Sequence, residues 1–316
     1  MLTTEQIDTF ERDGMLAIED VLDADTLDAL REDYRARLDA LYRDWHAEGR
    51  VPPPDGMSFE DQLMTAYRAG IDWFQPLDIS LPGGRIAADT PMHVSEATFA
   101  LVTHPRLLDI AESLLGPELT SNPIQHVRIK PPERDLAANE ERAHVGGTSW
   151  HQDRGVAHAE ADATRMVTVW VAISDATEEN GCLLAVPRSA QSGLAPHCPR
   201  RGQLAIAEGH LDVEAARPMP VRAGGAVLLH PLTPHAALPN RSNGLRWSFD
   251  LRYNVTGEPT GRAHFPSFVA RSRSDPASEL RDWRQWKAMW EDARDRLAAR
   301  PHIDIHRWDA HAAACA

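Results

Sequence analysis

Arg246-Trp247-Ser248-Phe249-Asp250-Leu251-Arg252-Tyr253 alternates strictly between polar and large apolar residues. Successive side chains of a β-strand point to opposite faces. Trp247, Phe249, Leu251 and Tyr253 therefore share one face, and Arg246, Ser248, Asp250 and Arg252 the other. If the aromatic face packs against a helical layer, the charged face points inward. A small barrel with a polar interior usually lines a site. Short β-runs bounded by turn residues surround this one. Residues 124–130 are closed by Pro131-Pro132, 166–174 by Glu178-Glu179-Asn180-Gly181, and 182–186 by Pro187; 225–229 form a fourth. Strands at this spacing predict an antiparallel sandwich or barrel.

Helical periodicity lies outside that region. Thr3 with Gln6 makes a capping box and Gly14 a stop for a helix over 4–12, followed by a brief strand over 15–19. After a cap at Asp23 or Asp25, Leu27, Leu30, Tyr34, Leu38, Leu41 and Trp45 recur at steps of three and four, and read as core. Another amphipathic helix runs over 105–115. Trp283, Trp286, Trp290 and Leu297 mark a C-terminal helix docked on the barrel. Residues 46–95 carry Pro and Gly breaks without a sustained period, as binding loops often do; Trp73-Phe74 is an apolar pair available for a pocket wall. Residues 133–149, charged and Gly-rich, read as a mobile loop. With no repeat and no linker, the expectation is one domain over 1–316. It comprises a helical layer over about 1–118, a β core over about 119–256 and a C-terminal helix over about 276–300.

The 316 residues are 42% hydrophobic and 25% charged, the composition of a soluble globular protein. Lys and Arg total 33 against 47 Asp and Glu, a formal charge of −14, which argues against nucleic acid or an anionic membrane as partner. The N-terminus lacks a basic start and apolar run, and no apolar stretch approaches spanning length. Cys182, Cys198 and Cys315 are odd in number and show no Cys-x-x-Cys spacing, so neither a disulfide framework nor a zinc knuckle is indicated. The expectation is a soluble, cytoplasmic protein acting on a small molecule.

Trp150-His151-Gln152-Asp153 carries the chemistry. In an extended strand His151 and Asp153 point the same way and can offer one nitrogen and one oxygen to a single ion. Either His230 or His235, in His230-Pro-Leu-Thr-Pro-His235, can supply a third ligand. Two histidines and a carboxylate leave open positions and suit non-haem Fe(II). Arg246 has the planar fork that pairs bidentately with a carboxylate.

With these residues in view, the chain resembles the phytanoyl-CoA dioxygenase family of Fe(II)- and 2-oxoglutarate-dependent oxygenases over nearly its whole length. The resemblance is carried by residues 6–14, Lys130-Pro-Pro132, Trp150-His-Gln-Asp153 and Trp170-Val-Ala-Ile173. It continues through Glu179-Asn-Gly-Cys-Leu183, Val186-Pro-Arg-Ser189, His235, Pro239-Asn240-Arg-Ser242 and Arg246. It implies a double-stranded β-helix, that is, a cupin-like jelly roll, mostly β with flanking helices. It implies His151, Asp153 and His235 as iron ligands, choosing His235 over His230 because an arginine eleven positions later anchors 2-oxoglutarate; here that is Arg246. Gln125, Lys130, Trp170 and Ser248 are candidate co-substrate contacts, and Trp73, His144 and His197 candidate substrate contacts. Ala236-Ala237 departs from the Gly or Ser of many relatives. Retention of Asp153 argues against halogenation.

The implied cofactors are Fe(II), 2-oxoglutarate and O2. The implied reaction is hydroxylation with release of succinate and CO2, or desaturation, epimerisation or ring closure by the same chemistry. Competing classes are a cupin-like metalloenzyme that does not use 2-oxoglutarate and a binding module without iron. An acyl-CoA substrate would want a basic patch, for which Lys130, Arg134, Arg200 and Arg201 are candidates.

Overall fold

The structure, a computed structural model, describes residues 1–140, 142, 144–200 and 203–315. Its helices are α1 (Thr4–Asp13), α2 (Ala24–Ala47), α3 (Phe59–Arg68), α4 (Glu96–Val102), α5 (Pro105–Leu115) and α6 (Trp283–Ala298). Local chemistry sets their ends. The Thr3–Gln6 capping box opens α1, and Gly14 closes it at a φ of 73°. The Asp23 carboxylate accepts the Thr26 N–H at the start of α2. Helix α3 lies inside the stretch read above as aperiodic. It is only 10 residues long, too short for its period to stand out among Pro and Gly breaks, yet Ser58 and Asp61 cap it and Leu63, Met64 and Ala66 are buried.

The strands are β1 (Met15–Ile18), β2 (Glu118–Ser121), β3 (His126–Lys130), β4 (Thr148–His151), β5 (Met166–Ala172), β6 (Leu183–Ala185) and β7 (His197–Arg200). They continue with β8 (Gln203–Ile206), β9 (Arg217–Met219), β10 (Ala226–Leu229), β11 (His235–Ala237), β12 (Arg246–Val255) and β13 (Phe268–Ser272). The main sheet has the order β1-β10-β5-β12-β2-β13, with β3 also on β12; a second sheet has the order β4-β11-β6-β9. All of these pairings are antiparallel, as a jelly roll requires. Strand β1 joins the main sheet with Met15 opposite Leu229, so the region expected to form the helical layer also supplies an edge strand.

The alternation of β12 has the sense expected. Trp247, Phe249, Leu251 and Tyr253 are buried in the large core shared with the helices, together with Val127 and Ile129 of β3 and Val167, Val169 and Val171 of β5. Tyr34 of α2 meets Trp247 and Phe249 edge-on at 5.0 and 5.8 Å, and Phe59 of α3 stacks on Trp247 at 5.7 Å. Each such side chain stabilises the fold by roughly 1.5–3 kcal/mol through burial. The opposite faces of β3, β5 and β12 turn towards the second sheet and carry Arg128, Lys130, Thr168, Trp170, Arg246, Asp250 and Arg252. Among the described residues no helix is long and apolar enough to cross a membrane.

After α6, which buries Trp286, Trp290 and Leu297, the chain doubles back as a strap over the segment that follows Asp153. Arg307 donates to Ala157 O and pairs with Asp162, and the Trp308 indole donates to Gly155 O at 2.7 Å. A Cys198–Cys315 disulfide ties the strap to β7. This corrects the reading of the cysteines: the partners lie 117 positions apart, and only the folded chain brings them together. The cytoplasmic expectation rested partly on unpaired cysteines, and the disulfide removes that support. Cys315→Ser should leave the sheets folded but free the strap. Trypsin cleavage after Arg307, followed by mass spectrometry, should accelerate severalfold over wild type; equal resistance would mean that the disulfide does not hold the strap.

Candidate active site

Strands β4 and β11 pair with His151 directly opposite His235, and the imidazole centroids lie 4.2 Å apart. Asp153 completes the group, but not from an extended strand as the sequence reading assumed. β4 ends at His151, and Asp153 begins a 3-10 turn over Asp153–Val156. One ligand atom from each of the three lies within 4.8 Å of the others, and Asp153 Oδ1 is 3.9 Å from Nε2 of each histidine. The backbone carbonyls of Ser149 and Thr233 accept from Nδ1 of His151 and His235 at 2.9 and 3.0 Å. A carbonyl can only accept, so Nδ1 carries the proton, and in the neutral ring Nε2 keeps its lone pair. His230 stands apart, its Nδ1 accepting the Leu232 N–H.

Electrostatics keep His151 and Asp153 in metal-binding form. Burial, then the neighbouring His235, pulls His151 down to about 3, so it is neutral at physiological pH. Burial opposes ionisation of Asp153, yet Arg252, the two histidines and the Thr168 hydroxyl outweigh it and hold the carboxyl below the ordinary range. Arg252 forms an ion pair with Oδ1, and Thr168 donates to Oδ2 at 2.5 Å. Two imidazoles and one carboxylate on a single side of an ion make a donor set suited to Fe(II) with open positions.

Beyond the triad lies a narrow inner pocket of about 30 Å³, with Lys130, Arg128, Arg246, Asp250 and Trp170 among its walls. Register sets Arg246 opposite Lys130, and both are 1% exposed. Arg246 donates to Ser248 Oγ at 2.6 Å and lies over Trp170, 5.3 Å from its centroid. Its Nε finds no partner among the described residues. Burial pulls its pKa to about 10, so it remains charged. Lys130 donates to Thr148 Oγ1 at 2.8 Å, and burial, then Arg246 and Arg128, pushes the ammonium well below its usual range. Two guanidiniums, Arg128 and Arg246, face the single carboxylate of Asp250, which Arg128 already engages at 2.8 Å. The pocket is short of negative charge, and a dicarboxylate such as 2-oxoglutarate meets that need. Gln125 does not line this pocket. It shares the Val127–Ile129 face and points its Nε2 at Ile79 O, 3.5 Å away.

An outer cavity of about 690 Å³ meets the inner pocket at His151, Thr148, Arg128 and Arg252. The segments 46–95 and 133–149 supply much of its wall: Asp72, Phe74, Gln75, Asp78 and 82–84 from the first, Arg142 and His144 from the second. His144 is stacked on Phe74 at 3.6 Å. Trp73 does not line the cavity; it is buried in the main core, and its neighbour Phe74 takes the wall. His197 is also absent from the wall. Its Nε2 accepts the Gln152 N–H at 2.9 Å while Nδ1 bonds Ala195 O, so it braces the turn that presents Asp153. The strap closes the cavity with Ile305 and His306. Gly83 packs closely there: an added Cβ would lie 2.3 Å from Ile305 Cδ1 and push that side chain aside. Of the basic residues considered for an acyl-CoA, Lys130 is buried, Arg200 pairs with Glu208, and Arg201 lies outside the described residues.

Sequence reasoning missed Thr168, Arg128 and Arg252 as site residues. All three sit on inward faces, and the polar face of β12 was the signal for Arg252. Arg262 and the strap come from irregular segments without such a signal, whereas Phe74 belongs to the apolar pair read as a pocket wall.

Several buried histidines make the apo-protein acid-sensitive. Burial brings His151 to about 3 and His197 to about 4, and burial with Arg128 and Arg142 takes His144 well below the usual range. In the unfolded chain each takes up a proton near pH 6.5. Folded values are depressed, so the stability these groups contribute is complete above about pH 6.5 and is lost as pH falls towards 4 and 3. Urea midpoints of the apo-protein should therefore drop between pH 7.5 and 5.5; equal midpoints would contradict this.

Comparison with known proteins agrees with this geometry. The sequence profile of the Phytanoyl-CoA dioxygenase (PhyH) family matches residues 10–248. Phytanoyl-CoA dioxygenase domain-containing protein 1 of Danio rerio is 26% identical over 275 residues, 78% of this chain and 88% of that protein. L-proline trans-4-hydroxylase of Streptomyces griseoviridis is 28% identical over 262 residues, 74% of this chain and 92% of the relative. Among solved structures, the non-haem monooxygenase ThoJ, in its apo form, superposes with a TM-score of 0.59 at 20% identity, over 93% of this chain and 97% of that one, a likeness of fold. The chain belongs to the phytanoyl-CoA dioxygenase family and is a non-haem Fe(II)- and 2-oxoglutarate-dependent oxygenase.

Proposed function

We propose that this oxygenase hydroxylates an unactivated C–H bond of a small or mid-sized metabolite. His151, Asp153 and His235 hold the iron, and Arg246 holds the far carboxylate of 2-oxoglutarate. The observation that carries the reading is Arg246 itself: a buried guanidinium with an unpartnered Nε, on the strand face that also sends Arg252 to Asp153. Leaving a buried charge uncompensated costs several kcal/mol, and a carboxylate ligand removes that cost. The relative named L-proline trans-4-hydroxylase supports hydroxylation of a small molecule as the outcome.

When bound, Fe(II) supplies oxygen activation, coupled to conversion of 2-oxoglutarate into succinate and CO2. The chain's own part is positioning and exclusion of water. The Nδ1 bonds to Ser149 and Thr233 aim both imidazoles, while Arg252 and Thr168 fix the carboxylate. Ser248 and Trp170 orient Arg246. A five-carbon dicarboxylate needs more room than the inner pocket offers as it stands, so binding requires Lys130 or Arg128 to leave its present partner, Thr148 or Asp250. Phe74, His144 and the strap shelter the outer cavity, where the substrate's reacting carbon would face His151.

Anaerobic Fe(II) and 2-oxoglutarate should give a weak visible charge-transfer band in the wild type. Asp153→Ala should abolish it. Arg246→Ala should weaken 2-oxoglutarate binding about 10- to 100-fold while iron still binds, the scale of a lost hydrogen-bonded charge pair. Bound iron without a band would sink the 2-oxoglutarate role and favour a cupin-like metalloenzyme; failure to bind iron would sink the triad.

A further inference from the structure

Five arginines line the outer cavity: Arg128, Arg142, Arg200, Arg252 and Arg262. Four of them have carboxylate partners, namely Asp250, Glu140, Glu208 and Asp153. Arg262 has none among the described residues, although it is only 3% exposed. Its NH2 donates to Val156 O at 2.7 Å, its guanidinium carbon lies 5.7 Å from the Phe265 centroid, and its Nε finds no acceptor among the described residues. Arg154 is as buried as Arg262, also lacks a carboxylate partner and also leaves its Nε without an acceptor among the described residues. It differs in sitting outside the cavity wall and in spending both terminal nitrogens on the carbonyls of Ala161 and Thr164. The acids of the cavity do not reach Arg262 either. Asp78 is engaged by His126 and by the backbone N–H groups of Ile79 and Val127, and Asp72 by the N–H of Phe74.

The loop that presents Arg262 is held from several sides. Thr164 Oγ1 donates to Pro259 O at 2.7 Å, Asn122 Nδ2 to Thr260 O at 3.0 Å, and the His158 N–H to Gly261 O at 3.0 Å. Gly261, at φ 74°, packs so closely that an added Cβ would lie 2.6 Å from Ala157 Cβ. A cation fixed in place, desolvated and without a counter-ion is a preorganised anion receptor. Arg246 has the same character in the inner pocket; Arg262 repeats it in the cavity left for the substrate.

We propose that the substrate is an organic acid whose anionic group, a carboxylate, phosphonate or sulfonate, docks on Arg262. This rests on the reading of the preceding subsection and narrows its substrate class. Arg262 is then a specificity-determining residue. It fixes one end of the substrate beside Arg252 and leaves the remainder to lie towards His151.

The test uses the full chain loaded with Mn(II), which blocks turnover, and 2-oxoglutarate. Cyclohexanecarboxylate, phenylphosphonate and the neutral cyclohexanecarboxamide are titrated calorimetrically into wild type, Arg262→Gln and Arg262→Lys. Both acids should bind wild type at least roughly tenfold more tightly than the amide, the scale of one charge-assisted hydrogen bond. Raising 2-oxoglutarate should not displace them. Arg262→Gln should erase the preference for acids without changing amide affinity, and Arg262→Lys should keep part of it. Wild type that binds the acids no better than the amide, or an Arg262→Gln protein that keeps the preference, would overturn the proposal. Recording the Fe(II)–2-oxoglutarate band on the same proteins separates the two readings. An intact band with no acid preference refutes the role of Arg262 alone, whereas loss of the band in wild type refutes the co-substrate site.

Discussion

A carboxylate with no solvent exposure has to be paid for in charge, and Arg252 supplies that charge to Asp153. Their ion pair joins the fourth inward residue of β12 to the turn after β4, and so joins the two sheets at the point where an ion would sit. Removing either partner would strand the other as an unpaired buried charge, which costs far more than the net worth of the pair. The constraint then spreads along the strand. If Arg252 points inward, strand period sends Arg246, Ser248 and Asp250 the same way and commits Trp247, Phe249, Leu251 and Tyr253 to the helices. The Tyr34 and Phe59 contacts to Trp247 fix that face. A one-residue slip of register would put four aromatic or aliphatic side chains into the site and the charges into the core.

The same strand organises both ligand spaces. Its first inward residue, Arg246, faces the inner pocket without a carboxylate partner, and its fourth, Arg252, braces Asp153 where the inner pocket opens into the outer cavity. Strands β3, β4, β7 and β8 supply further parts of the cavity wall, and the segments of little regular structure that complete it are anchored by their own contacts. Asp78 gathers His126 and two backbone N–H groups, His197 braces Gln152, and the strap bonds the 154–162 segment through Arg307 and Trp308. Rigid sheets thus hold the triad and Arg246, while loops set what else enters. This division is common where one chemistry serves many substrates.

The parts legible in the sequence were those encoded by local period or by chemistry at short range. The alternation of residues 246–253, the helical stripe from Leu27 to Trp45 and the capping box at Thr3 each need only neighbouring residues to be read. His151, Asp153, His235 and Arg246 stood out because their spacing matched a family pattern. What was hidden depends on phase or on distant contact. Gln125 and Arg128 lie three positions apart, and an imperfect alternation over 124–130 did not reveal which of them shares the inward face. Trp73 and Phe74 differ by one position, and only packing decides which is core and which is wall. His197 looked free for substrate because its partner, the Gln152 N–H, is 45 positions away. The Cys198–Cys315 pair and the placement of Arg262 are likewise products of the tertiary fold.

The most direct test is a crystal structure of the chain with Mn(II) and 2-oxoglutarate grown without oxygen. The account predicts an ion about 2.0–2.3 Å from Nε2 of His151, Nε2 of His235 and a carboxylate oxygen of Asp153, by the usual range for such ligands. It also predicts the far carboxylate of 2-oxoglutarate on the Arg246 guanidinium, with Lys130 or Arg128 displaced to admit it. An ion held by other residues, or 2-oxoglutarate bound away from Arg246, would contradict it.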